Sequence, residues 1–164
     1  MKRLLFLITP LLIFTLLFSA CSPTEKDNYE NTLAYFQIDF IKSDFEMTES
    51  KSDKADYVRA YKVSVTEKER KKLIEHFKSF ENGEFVKIPN AQNNFDILCD
   101  TLIEDFGSYK AVSDGFFALY NTECDKLQTK LNFDTLANYD FDFYRALIFD
   151  VDTNTLYIYD YSAT

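Results

Sequence analysis

The chain has 164 residues, of which 46% are hydrophobic, and carries a formal net charge of −9. This length and apolar content suffice for one domain with a buried core. The negative charge would repel a phosphate backbone, so the composition argues against nucleic acid as a partner. With 3 glycines and 3 prolines, the chain also lacks the turn residues that a many-turned β-sandwich or barrel requires.

Residues 1–20 have the three-part pattern of a secretory signal peptide. Lys2 and Arg3 form a positive head, and an almost wholly apolar stretch follows up to Cys21. A membrane-spanning helix needs about 20 apolar residues. This run is shorter, contains Pro10, and ends in a polar segment rather than a basic stop-transfer flank. The pattern therefore favours a cleaved signal peptide over a retained membrane span.

The end of this signal peptide resembles the lipobox of bacterial lipoproteins. The apolar residue, two small residues and cysteine of that box are matched by Phe18, Ser19, Ala20 and Cys21. The family usually has Leu where Phe18 stands. The resemblance implies that the Cys21 thiol is diacylated, that the chain is cut before Cys21, and that its new amino group takes a fatty acyl chain such as palmitate.

This resemblance predicts a lipid anchor in a membrane of the bacterial cell envelope, with the protein facing the periplasm or the cell surface. It covers about the first 21 residues and implies nothing about the rest of the chain. The alternative is an ordinary secretory signal peptide that a cysteine follows by coincidence.

The mature chain is predicted to begin with a tether and to continue as one domain. Residues 21–32 are polar and charged, which is typical of a linker that lifts a domain off a lipid surface. Residues 33–164 are predicted to be a single domain. Within them, apolar and polar residues alternate over 34–41 and 57–65, which predicts two half-buried strands. The charged stretch 42–56 has no periodicity and is predicted to be a mobile loop.

Three helices are predicted further along the chain. The first begins at a capping box of Thr66 and Glu69, in which each side chain satisfies a backbone N–H at the open helix end. A short strand is predicted over 84–88. A second helix is predicted over 95–106 and a third over 122–131, because apolar residues recur there at helical spacing. The apolar stripe of the first helix comprises Leu73, Ile74, Phe77 and Phe80.

The C-terminal segment FDVDTNTLYIYDYSAT, residues 149–164, is open to two interpretations. Three of its polar residues are spaced like the opening of an EF-hand calcium loop, namely Asp150, Asp152 and Asn154. Such a loop needs Gly at its sixth position and a bidentate Glu at its twelfth, where this chain has Thr155 and Tyr161. Alternating apolar residues flank the segment. The sequence therefore predicts a β-hairpin turn rather than a metal site.

These elements together predict an α+β fold with a single domain, an antiparallel sheet, about three helices and a C-terminal β-hairpin. If Thr153 and Asn154 form the hairpin tip, Phe149 lies opposite Ile158 on a mostly apolar face that should meet the helices. The other face carries a row of tyrosines at Tyr144, Tyr157, Tyr159 and Tyr161. Tyrosine suits a surface that is partly wet and partly bound, so this row is a candidate binding face. The alternative is that these tyrosines cover the sheet or pack beneath a loop.

Two cysteines remain once Cys21 is lipidated. Cys99 and Cys124 lie on the apolar faces of separate predicted helices, in a compartment that permits disulfides. A disulfide between them is the favoured interpretation, and in the loop-entropy model it would stabilise the fold by roughly 3 to 4 kcal/mol. Two inert thiols, or a reactive Cys124 with His76 as its base, are the alternatives.

The sequence offers no coherent catalytic set. His76 is the only histidine, and no G-x-S-x-G elbow or glycine cluster is present. The one basic cluster, Glu67 to Lys72, is interrupted by acids and is predicted to be a solvated helix face.

We therefore predict a non-catalytic envelope protein that binds another macromolecule, with a protein as its partner and with no cofactor. An inhibitor or immunity-type role fits a small acidic envelope protein of this kind. Two alternatives stay open. One is an envelope hydrolase that acts on glycan or peptide through carboxylates, since two suitably spaced acids suffice for glycosidic chemistry. The other is a passive structural lipoprotein.

Overall fold

A computed structural model of the protein describes residues 24–52, 55–79, 86–88, 112–121, 126–127 and 143–162. The chain divides into two units, Met1–Asn31 and Thr32–Thr164. The described residues form two helices and seven strands. In chain order these are α1 (Glu25–Tyr35), β1 (Phe45–Ser52), β2 (Ala55–Ser64), α2 (Glu67–Ser79), β3 (Val86–Lys87), β4 (Gly115–Asn121), β5 (Lys126–Leu127), β6 (Phe143–Asp150) and β7 (Thr155–Ser162).

The described strands form one sheet in the order β1-β2-β7-β6-β4-β3, with β5 paired to β4. All of these pairings are antiparallel. Two hairpins, β1–β2 and β6–β7, lie side by side because β7 pairs with β2. The predicted α+β class with an antiparallel sheet is therefore confirmed.

The C-terminal hairpin is confirmed, but its register differs by two residues from the predicted one. Phe149 lies opposite Leu156 and Leu147 lies opposite Ile158. The predicted pair of Phe149 and Ile158 is wrong because the turn holds the four residues 151–154 rather than a two-residue tip. Alternate residues of a strand share a face, so a shift of two leaves every side chain on its predicted face.

The sheet buries residues on both of its faces. The helix face is the one that α2 contacts, because the Phe77 ring centroid lies 5.2 Å from that of Phe116 and 5.9 Å from that of Phe149. Buried residues of the helix face include Tyr61, Val63, Leu147, Phe149, Leu156 and Ile158. Buried residues of the opposite face include Phe117, Leu119, Tyr144, Ala146, Ile148 and Tyr159. Antiparallel sheets commonly expose one face to water. In this sheet the central strands bury residues on both faces instead.

Helix α2 forms where the sequence predicts it. The Thr66 backbone N–H donates to Glu69 Oε2 at 2.8 Å, and the Glu69 N–H donates to Thr66 Oγ1 at 3.3 Å. This is the predicted capping box, with both hydrogen bonds present. Leu73 and Phe77 of the predicted stripe are buried, and Ile74 is half-buried.

Helix α1 occupies most of the segment predicted to be a tether. It begins at a second capping box, in which the Thr24 N–H donates to Asp27 Oδ2 at 2.8 Å and the Asp27 N–H donates to Thr24 Oγ1 at 3.2 Å. The bonds from the Thr24 backbone and side chain lower the pKa of Asp27. A Thr-x-x-Asp spacing is a known helix-start signal, and the predicted tether over 21–32 is helical from residue 25 onward.

The strand predicted over 34–41 is also wrong, because α1 runs into it and closes with a Schellman cap. The Ile38 N–H donates to the Leu33 carbonyl at 3.1 Å, and the Gln37 N–H donates to the Ala34 carbonyl at 2.9 Å. Gln37 takes the left-handed position of this motif with φ of 56°. The chain that follows pairs with no described strand. Of the four residues that its alternation places on one face, Phe36 and Ile38 are buried, Phe40 is half-buried and Ala34 is exposed.

The predicted mobile loop over 42–56 contains strand β1 and the start of β2. β1 lies at the edge of the described sheet. Edge strands commonly carry charges that prevent pairing with other chains. Here Glu46 lies opposite Lys62, and the carboxylate is 3.7 Å from the ammonium group. The charged residues hid the alternation of half-buried Phe45 and Met47 with exposed Glu46 and Thr48.

Several predicted elements lie wholly or partly outside the described residues. These are the helix over 95–106, most of the helix over 122–131, and Phe80 of the first helix stripe. The helix over 122–131 is wrong at residues 126–127, which form β5, with Leu127 opposite Tyr120 of β4. The short strand predicted over 84–88 is confirmed by β3.

Candidate functional site

Three of the predicted site residues lie outside the described part of the chain. They are Cys21, the predicted lipid attachment site, and the predicted disulfide pair, Cys99 and Cys124. The lipid anchor and the disulfide therefore stay predictions. Neither of the two described helices is long and apolar enough to cross a membrane.

The predicted tyrosine face exists, but it is not a bare surface. Tyr144 and Tyr159 are each 3% exposed, and Tyr157 and Tyr161 are half-buried. The Tyr144 and Tyr161 rings stack across the hairpin, with centroids 4.7 Å apart and planes 16° apart. Their neighbours on this face, Ala146 among them, are buried and apolar. The alternation of residues along a single hairpin shows which side chains share a face. It does not show whether other parts of the chain cover the second face of the sheet.

The helix face holds an internal ion pair that sequence reasoning did not predict. Arg145 and Asp160 lie opposite each other in the hairpin, with Arg145 Nε 3.2 Å from Asp160 Oδ1. Their side chains are 16% and 6% exposed. The Arg145 guanidinium carbon also lies 4.1 Å from the centroid of the Tyr35 ring. A buried charge that loses its partner is costly, so this pair favours the observed register over its alternatives.

The turn residues that resemble a calcium loop are engaged in the turn itself. Asp150 Oδ1 accepts from the Asp152 N–H at 2.9 Å and from the Thr153 N–H at 3.2 Å, and its Oδ2 accepts from the Thr153 hydroxyl at 2.7 Å. Asn154 has φ of 54°, the left-handed conformation that asparagine tolerates in turns. Within the described ranges, no group of three or more His, Cys, Asp or Glu side chains could hold a metal ion.

His76, the only histidine of the chain, is half-buried on α2. Its Nε2 lies 2.9 Å from the Phe36 carbonyl oxygen. A carbonyl oxygen can only accept a hydrogen bond, so Nε2 carries the proton. The imidazole therefore connects α2 to the segment that follows α1.

The fold strongly lowers the pKa of the Glu69 carboxyl. Glu69 is 7% exposed and accepts five hydrogen bonds. They come from the N–H groups of Lys42 at 2.6 Å, Ser43 at 3.0 Å and Thr66 at 2.8 Å, and from the hydroxyls of Ser43 at 2.6 Å and Thr66 at 2.7 Å. Burial raises its pKa, but the bonds from Ser43, Lys42 and Thr66 outweigh burial and lower the pKa of Glu69 to about 2. Glu69 thereby joins the start of α2 to the segment that leads into β1.

An open cleft of about 480 Å³ lies beside this carboxylate. We call it the lysine cleft, and it is lined by Phe40, Lys42, Ser43, Thr66, Lys68, Glu69 and Lys72. The three lysines are exposed, and Lys72 Nζ lies 5.4 Å from the Phe40 ring centroid. The structure gives none of the three ammonium groups an ion pair with another described residue.

Sequence reasoning missed the lysine cleft. Lys68 and Lys72 belong to the basic cluster that the sequence predicts to be a solvated helix face. Their i, i+4 spacing is the one local signal that they share a side of the helix. Lys42 joins them only through the bonds of Glu69 to residues 42 and 43.

No protein-family model, curated protein or solved structure matches this chain.

Proposed function

We propose that the chain is a lipid-anchored protein of the bacterial cell envelope that binds a protein partner and performs no catalysis. The anchor is supported by the lipobox-like residues that end at Cys21. Under this proposal, residues 1–20 are a signal peptide, Cys21 carries the lipid, and residues 33–164 form a single domain. The disulfide between Cys99 and Cys124 belongs to the same proposal.

The observation that carries the binding role is what the three buried acids among the described residues do. Glu69 accepts five hydrogen bonds and, with its pKa lowered to about 2, stays ionised at physiological pH, so it cannot act there as a general acid. Asp150 caps the hairpin turn, and Asp160 pairs with Arg145. These carboxylates support the fold, whereas the three exposed lysines of the lysine cleft make no ion pair with another described residue.

The proposal is tested by crosslinking in intact cells that naturally make the protein. A photoreactive residue replaces Lys68 at the lysine cleft of the full-length chain, and a second strain carries it at Lys78, which is exposed on the same helix outside the cleft. We expect one discrete protein adduct from position 68 and none of that size from position 78. The absence of such an adduct, or turnover of envelope glycan or peptide by the purified protein, would contradict the proposed function.

A further inference from the structure

We propose that the lysine cleft binds an acidic peptide segment, whose carboxylates pair with Lys42, Lys68 and Lys72. This inference rests on the proposed function, because it specifies the chemistry of the protein partner. It goes beyond that function by naming both the surface and the charge of the segment it recognises.

The lysine cleft differs in charge from the chain as a whole. The chain as a whole carries a formal net charge of −9, yet the lysine cleft gathers three ammonium groups and a single acid, Glu69. Five hydrogen bonds hold the Glu69 carboxylate, and three lysines against this one acid leave the lining with two excess positive charges. The three ammonium groups make no ion pair with any residue in the described ranges. The cleft is therefore a local positive site on an acidic protein, and such a site attracts carboxylates.

The neighbouring cleft supports this assignment by contrast. It has a volume of about 490 Å³ and shares Lys42 and Ser43 with the lysine cleft. Its lining also contains Asp44 and Glu46, and Glu46 pairs with Lys62 at 3.7 Å. In the neighbouring cleft two acids of the protein balance the two lysines. In the lysine cleft the lysines outnumber the acid, so a ligand can supply the missing negative charge.

The shape of the lysine cleft favours a peptide over a membrane surface. A concave site of about 480 Å³ can receive side chains, whereas a planar bilayer touches only its rim. Phe40 and the aliphatic stems of the lysines offer apolar contact to the methylene groups of glutamate side chains. An anionic bilayer would also be repelled by the −9 charge of the whole chain, whereas a short peptide responds mainly to charges within about 10 Å.

The test uses the full-length protein in mild detergent and a fluorescent decapeptide of glutamate as the probe. We expect saturable binding that weakens as the salt concentration rises, since exposed ion pairs are screened. The charge-reversed double variant Lys68→Glu/Lys72→Glu should bind the probe at least about tenfold more weakly. A glutamine decapeptide should not bind.

A matched control separates the cleft from the overall charge. Lys71→Glu/Lys78→Glu makes the same charge change on the same helix at two exposed positions that do not line the cleft. We expect this control to retain the affinity of the wild type within about twofold. Thermal unfolding of both variants confirms that each is folded, and the neutral variant Lys68→Gln/Lys72→Gln should give an intermediate loss.

Three outcomes would overturn the inference. The first is that the glutamate probe does not bind the wild type. The second is that the Lys68→Glu/Lys72→Glu variant and the control variant lose the same affinity for the probe. The third is that the protein binds anionic vesicles but not the peptide, and that the Lys68→Glu/Lys72→Glu variant binds the vesicles more weakly. The vesicle result would mean that the lysines contact a lipid surface. Because every variant carries the same lipid anchor, the contribution of the lysines is the difference in vesicle binding between the variants. If crosslinking in cells finds a partner that the Lys68→Glu/Lys72→Glu variant still binds fully, the proposed function stands and the cleft assignment fails.

Discussion

The Glu69→Gln variant is expected to unfold with a free energy about 3 kcal/mol below that of the wild type at pH 7. The pKa of this carboxyl falls from an ordinary value of 4.5 to about 2 in the folded protein, and each pKa unit corresponds to about 1.4 kcal/mol. The replacement amide presents a donor to a site that holds five donors. Urea unfolding at pH 7 measures the loss.

The same variant should change how stability depends on pH. Because the folded pKa of Glu69 lies below its unfolded value, its contribution is fully present above about pH 5 and is lost as pH falls towards 2. The difference between wild type and variant should therefore shrink over that range. Glu75→Gln is the control, since Glu75 is exposed on the same helix, and it should cost less than about 0.5 kcal/mol. A difference from the wild type that does not vary with pH would contradict this account of Glu69.

Tyr159→Ser is the second variant with a large expected effect, a loss of about 3 kcal/mol in the free energy of unfolding. Tyr159 is 3% exposed on a face that also buries Ala146 and Ile148. Removing its ring leaves a cavity in packed surroundings. Tyr157→Ser, at a half-buried position of the same face, should cost about half as much or less. Denaturant unfolding of both variants gives the comparison.

The loss of stability in Tyr159→Ser distinguishes two roles of the tyrosine row, a packed part of the core and an exposed binding face. A large loss means that Tyr159 belongs to the core, as its burial indicates. A loss below about 0.5 kcal/mol would mean that this face is open in solution. That result would favour the candidate binding face of Tyr144, Tyr157, Tyr159 and Tyr161.

Local chemistry predicts part of this fold well. The Thr66 and Glu69 capping box correctly locates the start of α2, because its hydrogen bonds join residues three apart. The C-terminal hairpin is predictable for the same reason, and its faces are correct although its register is not. The register depends on the Asp150 bonds that stabilise a four-residue turn and on the pairing of Arg145 with Asp160.

The errors have physical causes as well. The alternation over 34–41 correctly identifies the buried residues Phe36 and Ile38, but burial of alternate residues does not require pairing in the sheet. In β1 the charges of an edge strand obscure the alternation that would predict it. The lysine cleft could not be predicted, because the bonds of Glu69 to Lys42 and Ser43 bring together segments that are distant in the sequence.

The central claim is that the protein is anchored by lipid on Cys21, and mass spectrometry of its N-terminal peptide tests this most directly. The peptide is isolated from the envelope fraction of cells that naturally make the protein. We predict that it begins at Cys21 and carries both a diacylglycerol on the thiol and an acyl chain on the amino group, and that Cys21→Ala abolishes membrane partitioning of the protein. A mature chain with an unmodified Cys21 thiol, or one cut after that residue, would contradict the account.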